Sequence, residues 1–402
     1  MSTAPRLAHG AATMRKGVFA ALEERIAEVA RAGKTLCPLH IGDTHLAPPE
    51  AARRALAESH AGLFRYGPTG GAPKLREALA AYVTERRGAP TSADEILVGV
   101  GGTHALHCVS RVLLDPGDEV VVLSPYWPLA PGIFEAQGAR VVEVRADLGA
   151  SSHEVSGAEL AARIRQAVGP RTRAVYFVSP GNPDGAIFTR EHLAAILDVA
   201  DEHDLWVLAD EVYADVAYVP HLAFRAAFDG DRGRRARARS VSLYSFSKSF
   251  AMAGQRVGFA VAPPQVVAAA LRISTHTVFN VPLVSQNAAL AALSEPSFLV
   301  DTRATYVRTR DAVALALVDV GLTDVRVPDG GVYYFLELSP FLPDTRAPLA
   351  DLLVRCIDEG VLLAPGGAFG AGFETRARLC FTSVGHDETL AGIASLGRAL
   401  RG

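Results

Sequence analysis

The chain of 402 residues is 49% apolar, enough to bury at least one large core and to form two domains. Forty basic and 43 acidic side chains leave a net charge of −3, so no overall field draws the chain to nucleic acid or anionic lipid. The absence of long uninterrupted apolar runs and of an apolar stretch in residues 1–16 argues against a membrane span and a secretory leader, and four cysteines without C-x-x-C spacing (Cys37, Cys108, Cys356, Cys380) read as reduced thiols of a cytoplasmic protein.

Near the N-terminus, Phe19, Leu22, Ile26 and Val29 recur at helical spacing, which predicts a helix over 18–32 closed by Gly33. Residues 36–49 follow as an extended, proline-bounded crossing between lobes, where Gly42 admits a ligand close to the backbone. The glycine-rich loop 64–76 carries Tyr66, exposed unless something covers it, into a helix opened by Pro73. Residues 95–106 read as a strand, a run of glycines and a helix, so the unpaired N–H groups of Gly101, Gly102 and Thr103 form an anion site. The spacing Gly99-x-Gly101-Gly102 is not the G-x-G-x-x-G of a dinucleotide fold. His104 and His107 lack a third ligand, so packing or a substrate-side hydrogen bond is expected of them rather than a metal. The apolar strand 119–124 ends on Pro125-Tyr-Trp-Pro128 and puts Trp127 where α/β sheets bind ligands; ring stacking and plain core packing both fit it.

Strand-like and helical stretches then alternate (140–146, 157–168, 173–179, 189–203, 205–209), the pattern of an α/β sheet, with Thr189 as a helix cap. The strand at 173–179 runs into Gly181-Asn182-Pro-Asp184-Gly185, where Asn182 is a donor for a phenolate oxygen. The strand at 205–209 runs into Asp210-Glu-Val-Tyr213; an acid at the end of an apolar strand is costly to bury alone and requires a cationic partner. The basic run 232–239 suits a solvated surface loop better than a nucleic-acid patch. After it, a strand ends on Ser245-Phe-Ser247-Lys248, followed by Gly254-Gln-Arg256-Val-Gly258. A lysine where a strand meets small residues can be desolvated enough for its amine to attack a carbonyl, and Ser245 with Arg256 suits a phosphate beside it. By itself the segment fits a surface lysine in a serine-rich turn equally well. Residues 271–293 read as the start of a long helix to the smaller lobe, and 330–338 and 378–382 as strands around a helix at 348–359 and a turn at 365–370. Arg378 has the planar fork that suits an α-carboxylate, but Arg376 would share its strand face, and residue type alone does not choose between them.

Asn182-Pro-x-Gly185, Asp210-x-x-Tyr213, Ser245-x-Ser247-Lys248 and Gly254-x-Arg256-x-Gly258, in this order, resemble the class I/II aminotransferases, fold-type I enzymes that use pyridoxal 5′-phosphate (PLP). The resemblance runs from Gly42 to Phe381. It implies an α/β fold with a mostly parallel central sheet in a large domain (45–290), a smaller α+β domain from both chain ends (1–44 and 291–402), and a homodimer with shared active sites. It implies a Schiff base of PLP on Lys248, which also moves the proton, with Asp210 at the ring nitrogen, Tyr213 and Asn182 at the ring 3′-oxygen and Trp127 stacked on the ring. Gly102, Thr103, Ser245 and Arg256 would hold the phosphate together with Tyr66 of the other subunit; Arg378, selected over Arg376 by the family pattern, would take the substrate carboxylate beside Gly42 and Asn182. Asp184 stands where the family commonly has threonine. The segment 271–293 has no Arg or Lys after Arg272, which disfavours a dicarboxylate held by a partner-subunit arginine. Phe19, His45, His104, Tyr333 and Phe369 are candidates for the side-chain pocket. The implied reaction exchanges an amino group between an L-amino acid and a 2-oxo acid. A β-eliminating lyase, a decarboxylase or an oxidase could use the same residues, since the cofactor carries the chemistry; a PLP-sensing regulator would need a DNA-binding module, for which the residues before Gly42 are too few.

Overall fold

The computed structural model describes residues 14–15, 17–18, 22–58, 60–146, 148 and 155–401. Its centre is a seven-stranded sheet in the order β1-β7-β6-β5-β4-β2-β3. The strands are β1 (Ile96–Val100), β2 (Glu119–Ser124), β3 (Arg140–Arg145), β4 (Thr172–Val178), β5 (Trp206–Asp210), β6 (Ser240–Ser245) and β7 (Val257–Val261). β7 runs antiparallel to β1 and β6, and the pairs among β2 to β6 are parallel. The central strands are buried along almost their whole length, as a sheet covered on both faces requires, and therefore read as continuous apolar runs.

Successive residues feed opposite faces. Val121, Val175, Phe177 and Val207 pack with Leu160, Ile164, Leu193 and Ile196 of the helices Gly157–Ala167 and Arg190–Glu202. Val120, Val122, Tyr176 and Leu208 pack with Leu106 and Val109 of the helix Gly101–Leu113 and with Val266 and Ala270 of the helix Pro264–Thr277. Each large apolar side chain contributes about 1.5–3 kcal/mol on burial, so a one-residue slip that exchanged the faces would cost many times that. The resulting register sets Val178 beside Asp210 and Asp210 beside Leu243, bringing the carboxyl ends of β4, β5 and β6 level.

A second, antiparallel sheet has the order β8-β10-β9, from β8 (Tyr333–Glu337), β9 (Ala364–Pro365) and β10 (Arg376–Cys380). Its core joins Leu22 and Leu39 of the N-terminal segment to Leu352, Ile357, Leu379 and Leu396. A bridge between Cys37 and Val361 fastens that segment to the sheet's surroundings. The loop before β8 lies tightly on the loop after β4: a Cβ on Gly330 would come within 2.7 Å of Pro180.

Some stretches differ from the sequence reading. The N-terminal helix spans Glu23–Arg31, and Phe19 lies outside the described residues. Residues 271–293 are not one helix: Pro264–Thr277 and Leu283–Ala292 are separated where Phe279 takes φ +65° and Pro282 offers no N–H, and the long helix begins only at Ser297. The basic run is a helix, Gly230–Ala238, rather than a loop. Its arginines pair with acids, Arg232 with Asp198 and Arg235 with Asp201, while Arg239 just beyond it also reaches Asp201; these contacts supply the order that a sparse apolar face hides. No helix among the described residues is long and apolar enough to cross a membrane, and all four cysteines are free and buried.

Candidate active site

At the end of β6 the side chain of Ser245 accepts the Ser247 N–H at 3.1 Å and starts a single helical turn, Phe246–Ser249. Phe246, buried and stacked on Phe250 at 5.0 Å, anchors the turn to the core. Lys248 therefore points away from that core, lines a cavity at the strand ends, and donates through Nζ to the carbonyl of Gly42. Burial lowers the pKa of its amine; Cys380 and Asp43 pull it back up, and Arg378 and Arg256 push it down further. At Gly42 a Cβ would collide with the Tyr333 hydroxyl, so this carbonyl can approach only on a glycine.

Asp210 ends β5 and is 5% exposed. Its Oδ2 accepts from Tyr176 Oη at 2.8 Å and its Oδ1 from the Val212 N–H at 3.3 Å. Burial raises its pKa to about 6 against the pull of these two bonds. It has no ion-pair partner among the described residues, in contrast to the cation expected from its placement. Tyr213, also buried, shares a 2.6 Å hydrogen bond with Tyr333 Oη, and burial raises its pKa well above the usual phenol value.

The N-terminus of the helix Gly101–Leu113 faces the same cavity through Gly102 and Thr103. Arg256, held at φ +54°, lies across this helix start: a Cβ on Gly101 would fall 3.0 Å from its Cζ. A left-handed conformation is unfavourable for a residue with a side chain and is maintained by its surroundings, here the bond from Arg256 Nη1 to the Ala253 carbonyl at 2.9 Å and the following strand β7. The cavity thus has a cation and a helix amino end on one side, the chemistry of an anion site.

Arg378, 6% exposed, donates from Nη1 to Asn182 Oδ1 at 2.9 Å and from Nη2 to the His40 carbonyl at 2.7 Å. Its guanidinium carbon lies 4.2 Å from the Tyr333 ring centroid and 4.9 Å from that of Phe369. Nε has no hydrogen-bond partner among the described residues, and no carboxylate pairs with it there. Arg376 is different: it pairs with Glu337 at 3.1 Å. The structure therefore separates two arginines that residue type did not.

Gly102, Thr103, Trp127, Asn182, Asp210, Tyr213, Ser245, Lys248 and Arg256 all line one cavity of 160 Å³. Arg378 joins it through Asn182, and Gly42 through Lys248. Tyr66 stands apart, 85% exposed and edge-on to Phe279 of its own chain at 5.0 Å. Asp184 turns to the Ala186 N–H and a separate small void lined by Leu123, Leu148 and Phe188. The described side-chain-pocket candidates do not line the main cavity: Tyr333 and Phe369 flank Arg378, His45 bonds to the Thr382 carbonyl, and His104 bonds to Thr277, while Phe19 lies outside the described residues. Sequence reasoning missed Tyr176, because a tyrosine within an apolar strand reads as core. Only the pairing of β4 with β5 reveals what its hydroxyl meets.

Residues 34–395 match the aminotransferase class I and II family. The chain is 35% identical over 370 residues to the aspartate/prephenate aminotransferase of Thermus thermophilus, covering 89% of this chain and 90% of that one. It is 34% identical to an arginine–pyruvate transaminase of Pseudomonas aeruginosa, covering 86% of each. Among solved structures, the Thermus thermophilus aspartate aminotransferase with maleate superposes with a TM-score of 0.84 at 31% identity, over 98% of this chain and 100% of that one. The aspartate aminotransferase of Rhizobium meliloti superposes with a TM-score of 0.88 at 25% identity, over 99% of both chains. These likenesses span both sheets and every element that borders the cavity. The chain belongs to the class I and II aminotransferases, a generally PLP-dependent family, and is an aminotransferase acting between an amino acid and a 2-oxo acid.

Proposed function

We propose that this aminotransferase holds pyridoxal 5′-phosphate in the cavity at the ends of β5 and β6 and uses Lys248, Asp210 and Arg378 to carry out the transfer. The observation that carries this reading is the buried Asp210 carboxylate without a cationic partner among the described residues. A charge at that depth is costly unless an opposite charge joins it, and a protonated ring nitrogen would supply one. The rest of the lining fits the same group: Gly102, Thr103, Ser245 and Arg256 offer an anion site for the phosphate, and Trp127 offers a ring face.

When bound, the cofactor supplies an electron sink that acidifies the substrate Cα–H and a carrier for the amino group. Lys248, its amine held neutral more readily by burial, would take the proton from the substrate Cα and deliver it to the C4′ carbon of the bound group, and the reverse in the second half-reaction. Arg378 holds the substrate carboxylate; its contacts with Asn182 and the His40 carbonyl orient the fork. With Oδ1 of Asn182 engaged by Arg378, its amide nitrogen is the group left to donate to the ring oxygen, and Tyr213 remains protonated to do the same. Apart from Lys248 and Arg256, no cation lines the cavity among the described residues, so a second substrate carboxylate would find no partner there. We therefore expect donors with uncharged side chains to be preferred over aspartate, for which several relatives are named.

The same reading makes the protein a cytoplasmic homodimer in which Tyr66 reaches the neighbour's phosphate site. The exposed Phe64, Tyr66 and Phe279 support that face as an interface. It also divides the chain into residues 45–290 and the paired segments 1–44 and 291–402, supported by the shared core of Leu39, Leu352 and Leu396. Incubating the purified chain with pyridoxal 5′-phosphate, reducing with borohydride and mapping peptides tests the cofactor assignment: modification of Lys248 supports it, and modification elsewhere or none defeats it. A donor panel with a 2-oxo acid acceptor then tests the expected preference.

A further inference from the structure

Tyr176 and Asp210 are brought together by sheet register. In the parallel pair β4–β5, Val178 stands beside Asp210 and Tyr176 beside Leu208. Side chains alternate along a strand, so Tyr176 shares a sheet face with Asp210 from two residues further back, a rise of about 6–7 Å. A tyrosine is long enough to close that gap and end in a donor. Its hydroxyl meets Asp210 Oδ2 at 2.8 Å, while the residue is fully buried and its ring lies edge-on to Phe134 at 5.6 Å.

We propose that Tyr176 is a positioning residue for Asp210, orienting the carboxylate and keeping it ionised so that it can hold a cationic ring nitrogen. This rests on the reading of the cavity as a pyridoxal 5′-phosphate site. Burial leaves the phenol a proton donor, its pKa well above the ordinary value. A hydroxyl buried in apolar surroundings is costly without an acceptor, so the bond to Asp210 is worth keeping from both ends. With Oδ2 on Tyr176 and Oδ1 on the Val212 N–H, the plane of the carboxylate is fixed, and each oxygen retains a further acceptor site for a ligand.

The surrounding ionisable groups do not take over this task. Lys248 and Arg256 line the same cavity from the segment after β6, with Lys248 bonded to Gly42 and Arg256 to Ala253. Tyr213, on the loop after β5, bonds to Tyr333. Glu211, next to Asp210 in sequence, accepts from the Phe224 N–H and from Tyr244.

Tyr176→Phe removes only the hydroxyl and is compared with the parent chain in two measurements. One is the affinity of the apo-protein for pyridoxal 5′-phosphate across pH 4 to 8, a range spanning about two units either side of the carboxylate transition at about 6. The other is the ring-nitrogen resonance of bound, 15N-labelled cofactor, which reports whether that nitrogen carries a proton. We expect about tenfold weaker binding near neutrality, the acid limb of the affinity profile moved up by about one unit, and a ring nitrogen less protonated at a given pH. In an Asp210→Asn background the same substitution should change neither measurement. Equal behaviour of Tyr176→Phe and the parent overturns the proposal, as does an equal loss in the Asp210→Asn background, which would mark a structural role. Should Tyr176→Phe fail to fold, 3,5-difluorotyrosine at position 176 keeps the ring and strengthens the donor, and is expected to move the acid limb down; no movement overturns the proposal. If the parent chain binds no pyridoxal 5′-phosphate, the proposed function falls and this inference with it, an outcome distinct from normal binding that ignores Tyr176.

Discussion

Arg378→Met separates a buried cation kept for a ligand from one kept for the fold. Arg378 is 6% exposed, makes two hydrogen bonds to neutral acceptors, and has no carboxylate partner among the described residues. Hydrogen bonds from a charged donor contribute about 1.5–3 kcal/mol each, so truncation removes about 3–6 kcal/mol of native interaction. Against this, burying an ion costs several kcal/mol, and that cost disappears with the charge. Methionine also refills much of the slot between Tyr333 and Phe369. The opposing effects leave a net stability change within about 2 kcal/mol. For catalysis nothing offsets the loss: two charge-assisted bonds to a substrate carboxylate correspond to about 10²–10⁴-fold in kcat/KM. Calorimetric melts of the apo-protein and kcat/KM with an amino acid and with the matching amine lacking the α-carboxylate form the assay. We expect a near-native melt, a collapse of amino-acid turnover and little change with the amine. A large fall in melting temperature with amino-acid turnover retained would refute the reasoning and make Arg378 a structural residue.

Gly258→Ala places a Cβ against the backbone of Gly101, Gly102 and Tyr244, none of which can swing aside; a loss of about 1–3 kcal/mol in denaturant melts is expected, and an unchanged midpoint would show that this contact yields. Without cofactor, the folded chain holds a proton on Asp210 up to a pKa of about 6, whereas a free carboxyl releases it near 3.8. Stability should therefore decline as pH rises from about 4 to about 6, by at most about 3 kcal/mol, and Asp210→Asn should flatten that decline while weakening, but leaving measurable, the binding of cofactor; parallel pH profiles for the two chains would contradict this. Mixing a Lys248→Ala chain with a Tyr66→Ala chain should restore activity that neither has alone if Tyr66 serves the neighbouring subunit, and sedimentation of the mixture should show dimers; no restoration in mixed dimers would confine Tyr66 to its own chain.

The strands and helices of the large sheet were legible because each carries one period throughout. Residues 119–124 are apolar without interruption, as a strand buried on both faces must be, and Thr189 caps its helix by accepting the His192 N–H. The lining of the cavity was also legible, since its residues sit in short segments where glycine, proline and a polar side chain interrupt apolar runs. What failed had no local signal. The helix Gly230–Ala238 buries only Gly233 and Ala236 and is ordered by ion pairs to another helix, so it reads as a loop. The break at Phe279 depends on a backbone angle that its side chain does not announce. Tyr176 looked like core because its partner lies on another strand.

Lys248, Asp210 and Arg378 share a property that no one of them displays alone. Each is an ionisable group at or beneath the cavity, and none forms an ion pair with the protein among the described residues; each is satisfied instead by neutral groups, the Gly42 carbonyl, Tyr176 and Val212, or Asn182 and His40. Neutral partners orient a charge without cancelling it, whereas an acid bonded to Arg378 or a lysine bonded to Asp210 would compete with any ligand of opposite charge. Other buried charges of the chain are held in both ways: Arg87 pairs with Asp215 and Arg225 with Glu95, while Glu211 is held by the Phe224 N–H and Tyr244. What sets the three apart is that they converge on one cavity with both signs of charge uncompensated and in fixed orientations, which on the proposed reading leaves their compensation to cofactor and substrate.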